Sequence, residues 1–212
     1  MKRPPDYSLY LVIGEEFTGG RSLLEVISAA VTGGVTMVQL REKNATARQA
    51  LESAWAVGAL LTPRGIPLII NDRLDLALES GAAGVHLGQG DLGCSEARRL
   101  APAGFLVGIS VSTIEEARRA AQEGADYLGV SPVFDTPTKA DAPTATGLDG
   151  LRRIRAAVNL PLVAIGGIKE INAAEVIRAG ADGVAVVSAI GSVTDPAGAA
   201  MRLWQAIQTG RL

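Results

Sequence analysis

The sequence predicts an α/β fold: a single (β/α)8 TIM barrel over residues 1–212, with its active site at the C-terminal ends of the strands. Three observations carry that expectation. Short aliphatic runs alternate with Ala-rich amphipathic segments at a spacing of roughly 25 residues along the whole chain, and the runs are apolar nearly throughout, as in strands covered on both faces. Several helical segments end in a small-residue turn that re-enters a strand, at Thr32-Gly33-Gly34, Ser80-Gly81-Ala82, Glu123-Gly124-Ala125 and Ala179-Gly180-Ala181. Glycine past a last helical turn accepts the left-handed backbone that ends the helix, and the recurring Gly-Ala-Asp at 124–126 and 180–182 marks one connection reused. Finally, the first run leads into Gly14-Glu15-Glu16 without the glycine fingerprint that a doubly wound open sheet carries there.

In chain order, strands are expected at 8–13, 35–40, 67–71, 83–87, 105–110, 126–131, 161–165 and 183–187. Helices are expected between and after them, at 21–32, 45–62, 73–80, 94–100, 112–123, 148–157, 170–179 and 195–208. No linker or second domain interrupts the pattern.

Composition removes several function classes. With 48% hydrophobic and 20% charged residues the chain is a well-packed globular protein rather than a disordered one. A net charge of −2 gives no basic surface for nucleic acid, and 4% aromatics are too few for base-stacking platforms. The single cysteine, Cys94, has no intramolecular disulfide partner and reads as a small semi-buried residue. Neither a secretory signal nor a membrane span is visible, so the expected setting is cytoplasmic. One histidine, His86, excludes HExxH zinc sites and most histidine triads; lying between apolar neighbours, it reads as structural.

The strand ends supply the chemistry. At the second strand, Gln39-Leu40-Arg41-Glu42-Lys43 puts Gln39, Arg41 and Lys43 on one face by alternation, although the same run also suits a solvated strand exit. The third and fourth strands end in Asn71-Asp72 and Gly88-Gln89-Gly90-Asp91, so that Asp72 and Asp91 either share a divalent cation or cap the helices after them. The fifth strand ends in Ser110. After the sixth, the stretch 133–147 is the longest without periodicity, and with Thr136, Thr138 and Lys139 it has the chemistry of an anion-binding lid or is a plain insertion. The seventh and eighth strands end in Gly166-Gly167 and Val187-Ser188, the loops at which such barrels commonly hold a phosphomonoester. A monoester does not need Arg41, Lys43 and Lys139 facing a carboxylate pair, whereas a diphosphate leaving group does. With no nucleophile evident, dissociative displacement at an activated carbon fits better than covalent catalysis.

These residues resemble a known family. Val38-Gln39-Leu40-Arg41-Glu42-Lys43, Ile70-Asn71-Asp72-Arg73, Val85-His86-Leu87-Gly88-Gln89 with Asp91, the run from Gly129 to Phe134 with Thr136-Pro137-Thr138-Lys139, Ala164-Ile165-Gly166-Gly167-Ile168 and Val184 to Ile190 occur in order and together look like thiamine-phosphate synthase. The resemblance implies a transferase that joins 4-amino-2-methyl-5-hydroxymethylpyrimidine diphosphate to a thiazole phosphate and releases pyrophosphate. It implies Mg²⁺ on Asp72 and Asp91, with the diphosphate on Arg41, Lys43, Asn71, Ser110 and Lys139, and Gln39 in the same site. Thr136, Thr138, Gly167, Val187 and Ser188 would take the thiazole phosphate. Arg41, Lys43, Ser110 and Lys139 are the catalytic candidates among these, stabilising the departing charge. The chain departs from the family's Val-Thr-Asp at Val12-Ile13-Gly14 and from its Ser-x-His-Thr at Ser110-Val111-Ser112-Thr113. A thiazole tautomerase on the same barrel, or a non-catalytic phosphate-binding barrel, are the alternatives; Asp91 and the Thr136-to-Lys139 run argue against the first, and the retained carboxylates against the second.

Overall fold

The computed structural model describes residues 4–136 and 144–212. Eight parallel strands pair in chain order and close into a barrel, β8 lying against β1. The strands are β1 Leu9–Ile13, β2 Met37–Leu40, β3 Leu68–Asn71, β4 Gly84–Leu87, β5 Leu106–Val111, β6 Tyr127–Val130, β7 Leu162–Ile165 and β8 Gly183–Val186. The helices are α1 Leu23–Thr32, α2 Ala47–Leu61, α3 Leu74–Ser80, α4 Cys94–Leu100, α5 Ile114–Gln122, α6 Gly147–Ala157, α7 Glu170–Arg178, α8 Ser188–Gly191 and α9 Pro196–Arg211. The (β/α)8 expectation holds. The additions are α8, one turn directly after β8, and short 3-10 turns at Glu15–Phe17 and Thr62–Arg64.

Two apolar layers hold the barrel. Leu, Val, Ile and Ala on the outer faces of the strands pack against the helices, which is why the strands lack alternation in the sequence. Inside, Tyr7, Tyr10, Val12, Met37, Ile69, Tyr127, Val163 and Ala185 form a separate cluster. All three tyrosines of the chain are therefore barrel-filling residues. Period-2 alternation carries each inward-facing strand on to the mouth: after Met37 come Gln39 and Arg41, after Ile69 comes Asn71, and after Leu106 come Gly108 and Ser110.

Local sequence explains how several elements begin. Thr46 with Gln49 and Thr113 with Glu116 form reciprocal capping boxes at α2 and α5, and Asp195 caps α9 through the Gly198 N–H. The Gly-Ala-Asp repeat is a joint at the barrel floor. The Asp126 carboxylate accepts the Val107 N–H at 2.7 Å and pairs with Arg98 of α4, while Asp182 accepts the Leu162 N–H at 2.7 Å and pairs with Arg155 of α6 at 3.1 Å. Each aspartate so ties the start of the preceding strand to the helix before it. Cys94 is buried, its thiol directed at the Ala120 carbonyl, and burial pushes it up to about 11.

One glycine is unused. Gly58, inside α2, has ordinary helical surroundings, and a methyl group there would meet only Leu68 at 3.8 Å. Gly58→Ala is expected to stabilise the protein by about 0.5–1 kcal/mol, because alanine has less backbone freedom to lose on folding; an unchanged or lowered Tm in thermal melts would contradict this.

Candidate active site

A cavity of about 830 Å³ opens at the C-terminal ends of the strands, a size suited to small-molecule substrates. Gln39, Arg41, Lys43, Asn71, Asp72, Asp91, Ser110, Thr136, Gly167, Val187 and Ser188 all line it, so the described site candidates converge on one space. Thr138 and Lys139 lie outside the described residues.

The acidic side is formed where β3 and β4 end. Asp72 has φ +63°, the only left-handed non-glycine among the described residues, a conformation that aspartate tolerates better than most side chains. Its N–H donates to the His86 carbonyl at 2.8 Å, which fixes the end of β3 on β4. The carboxyl caps no helix: α3 begins at Leu74 behind Arg73, without a side-chain cap. Nor does Asp91 cap α4, which starts behind Gly93; its Oδ2 instead accepts the Gly88 N–H at 2.7 Å and closes the loop after β4. Of the two roles the sequence leaves open, capping is thus not what these carboxylates do.

They face each other. Burial raises the Asp72 carboxyl above the ordinary range, and the adjacent Asp91 carboxyl raises it further against the opposing pull of Lys43, whose Nζ stands 3.5 Å away. Two crowded carboxylates with one modest ammonium partner are an under-neutralised oxygen site, which fits a hard divalent cation that takes its remaining ligands from water or a phosphorylated substrate. No group of three or more acidic, histidine or cysteine side chains assembles among the described residues.

The basic side comes from β2. Arg41 pairs with Glu16 at 3.0 Å and lies over the Phe17 ring, 5.9 Å from its centroid. Glu42 points the other way and accepts the Glu15 N–H, as alternation requires. Ion pairs of this partly exposed kind contribute roughly 0–1 kcal/mol, so a polyanion can displace Glu16 from Arg41 and Asp72 from Lys43 at small cost. Gly14 packs tightly at this corner: a Cβ there would overlap the Arg41 carbonyl oxygen. Gly14→Asp is therefore expected to destabilise this chain by roughly 1–3 kcal/mol and to lower turnover by displacing Arg41; a variant with unchanged Tm and kcat would contradict that.

The opposite rim is formed by β7 and β8. Gly166 and Gly167 have φ +101° and +64°, and the room left by their missing side chains is taken by the chain itself, Pro132 over Gly166 and Phe134 over Gly167. The glycines thus admit the start of the loop after β6, which is pinned by Val133 N–H to the Ile165 carbonyl at 2.9 Å and by Phe134 N–H to the Gly166 carbonyl at 3.1 Å. Ser188 opens α8; the Ile190 and Gly191 N–H groups return to the Val187 carbonyl, which leaves the first two N–H groups of the turn, those of Ser188 and Ala189, without a partner inside the helix. They are available to an anion at this rim.

The family model described as thiamine monophosphate synthase matches residues 9–190. The chain belongs to that family. It is 56% identical over 199 residues to a thiamine-phosphate synthase of Albidiferax ferrireducens, covering 94% of this chain and 91% of that one. It is 48% identical over 207 residues to one of Moorella thermoacetica, with 98% and 99% covered. Among solved structures, a thiamine phosphate pyrophosphorylase from Pyrococcus furiosus superimposes with a TM-score of 0.89 at 36% identity, over 97% of this chain and 98% of that one. A 3-hexulose-6-phosphate synthase, at 20% identity and TM-score 0.71, shares the fold alone. Family membership makes the chain a thiamine-phosphate-forming transferase on a TIM barrel, working on small molecules. No helix among the described residues is long and apolar enough to cross a membrane.

The sequence reads His86 as structural, and nothing in it singles out Tyr10 or Tyr127, yet all three line the cavity. His86 is half-buried, turned inward and part of the cavity lining, hydrogen-bonded to Tyr127 and Ser110. The signal was present: His86 holds the inward parity of its strand, as Gln39 and Ser110 do of theirs. Apolar neighbours on both sides hid it, because in a barrel those neighbours face the helices.

Proposed function

We propose that the cavity joins 4-amino-2-methyl-5-hydroxymethylpyrimidine diphosphate to thiazole phosphate, giving thiamine phosphate and pyrophosphate, by Mg²⁺-assisted departure of the diphosphate from carbon. The observation that carries this reading is the pairing of two crowded carboxylates with two cationic side chains on one rim of a cavity whose other rim offers backbone N–H groups and Ser188. Asp72 and Asp91 would hold Mg²⁺, which when bound neutralises charge on the diphosphate. Arg41, Lys43, Asn71, Ser110 and Lys139 hold the diphosphate oxygens and stabilise the charge that grows as the carbon–oxygen bond breaks. Thr136, Thr138, Gly167, Val187 and Ser188 hold the thiazole phosphate, and the barrel keeps the thiazole nitrogen in line with the methylene carbon. The electron-rich pyrimidine delocalises the positive charge left on that carbon until the nitrogen captures it. Chemistry of this kind needs no nucleophile from the protein. The setting is cytoplasmic.

Mixing both substrates with Mg²⁺ and measuring pyrophosphate is the direct test. Release is expected with both present and to stop on addition of EDTA; turnover surviving EDTA sinks the metal assignment, and no release at all sinks the reaction. Lys139→Ala is expected to lower kcat by stranding charge on the leaving group, while a change confined to the KM for thiazole phosphate would move Lys139 to the other rim.

A further inference from the structure

An unbroken run of hydrogen bonds crosses the barrel along the wall of the cavity. Gln39 Nε2 donates to Tyr10 Oη at 2.9 Å, and the Tyr10 and Tyr127 hydroxyls are 2.9 Å apart. Tyr127 Oη lies 3.0 Å from His86 Nδ1, and His86 Nε2 lies 2.9 Å from Ser110 Oγ. Two glycines make the space: a Cβ at Gly108 would overlap the Tyr127 ring, and one at Gly129 would stand 2.9 Å from the His86 ring. Gln39 and Ser110, the two ends, are both cavity-lining.

Proton counting gives the run a direction. Burial holds both phenols well above the ordinary tyrosine range, so each keeps its one proton throughout the working pH range. With the Gln39 amide nitrogen toward Tyr10, which is 1% exposed, the Tyr10 proton goes to Tyr127 rather than being left unpaired in the interior. Tyr127 would then give its proton to His86 Nδ1, and a neutral imidazole would carry its own proton on Nε2 and donate it to Ser110 Oγ. The Ser110 hydroxyl proton is left for whatever enters the cavity. Turning the Gln39 amide over would reverse every bond and consume that proton on His86.

We infer that Tyr10, Tyr127 and His86 are positioning residues that keep the Ser110 hydroxyl a hydrogen-bond donor to the departing diphosphate, with Gln39 setting the direction from the far side of the barrel. The inference rests on the reading of the site given above for what Ser110 binds. It couples two subsites: an acceptor presented at Gln39 and a donor presented at Ser110 exist together or not at all.

The chain's single histidine makes the test direct. In the free ¹⁵N-labelled protein the one imidazole is expected to show a pyrrole-type Nε2 and a pyridine-type Nδ1; a proton on Nδ1 overturns the relay. Tyr127→Phe is expected to spread the imidazole over both tautomers and to lower kcat about tenfold with the KM for thiazole phosphate unchanged. A Tyr127→Phe protein with the wild-type tautomer and wild-type kcat overturns it as well. Should that variant not fold, the wild-type spectrum still decides. The spectrum needs no substrate, so a relay with its proton on Nε2 in a protein that releases no pyrophosphate counts against the reaction and not against the relay.

Discussion

Asp91→Asn is expected to cut pyrophosphate release by roughly two to three orders of magnitude, the scale on which single charge-stabilising groups act at developing oxyanions. The amide keeps an acceptor for the Gly88 N–H, so the loop after β4 stays closed and only the charge is lost. Asp91→Ala removes both and is expected to be no more active. Thiazole-phosphate binding, measured by calorimetry, should be unchanged in either variant, because that ligand is assigned to the rim formed by β7 and β8. Asp72→Asn isolates charge in the same manner, since asparagine also tolerates the left-handed backbone at φ +63°. Asp72→Ala would confound lost charge with strain. An Asp91→Asn enzyme with near wild-type turnover at low Mg²⁺ would remove Asp91 from the metal site.

The second large effect is expected at Gly108. Alanine there drives a methyl group into the ring of Tyr127, which is fully buried in the barrel interior. Overpacking of this kind costs roughly 1–3 kcal/mol and occasionally more, which lowers Tm by about 2–12 °C in a chain of this size. Activity should fall further than stability alone accounts for, since displacing Tyr127 opens the hydrogen bonds to Tyr10 and His86. Thermal melts and kcat on the same preparation check both parts, and a Gly108→Ala protein with the wild-type Tm would show that the interior can yield. Gly58→Ala, with the opposite sign expected, guards against reading a general glycine effect into the result.

Much of the fold is legible in the chain alone. Strand apolarity and glycine-terminated helices are direct records of a parallel barrel, and each expected βα unit is present because local signals and tertiary packing agree along the chain. Strand-end chemistry is legible too, since alternation from Gln39 through Arg41 to Lys43 depends only on backbone geometry. Pairing across the barrel is not. Tyr10 and Tyr127 are 117 positions apart yet hydrogen-bonded, and nothing local to either residue signals the other. The role of Asp72 is undecidable from sequence for a related reason: a helix cap and a cavity-facing carboxylate look alike there, and they differ only in the direction imposed by a left-handed φ. Gly166 and Gly167 show a third limit, for the close approach that glycine permits is legible while the group that approaches is not.

The two Gly-Ala-Asp joints lie at the floor, where Asp126 and Asp182 hold strand starts and helices together, while the cavity lies at the other end of the same strands. These floor anchors therefore take no part in the lining of the cavity. Loops at the mouth can be exchanged, lengthened or given new side chains without loosening the anchors beneath, and a barrel secured in this way is a chassis on which selection, natural or in the laboratory, can alter the chemistry while inheriting the frame.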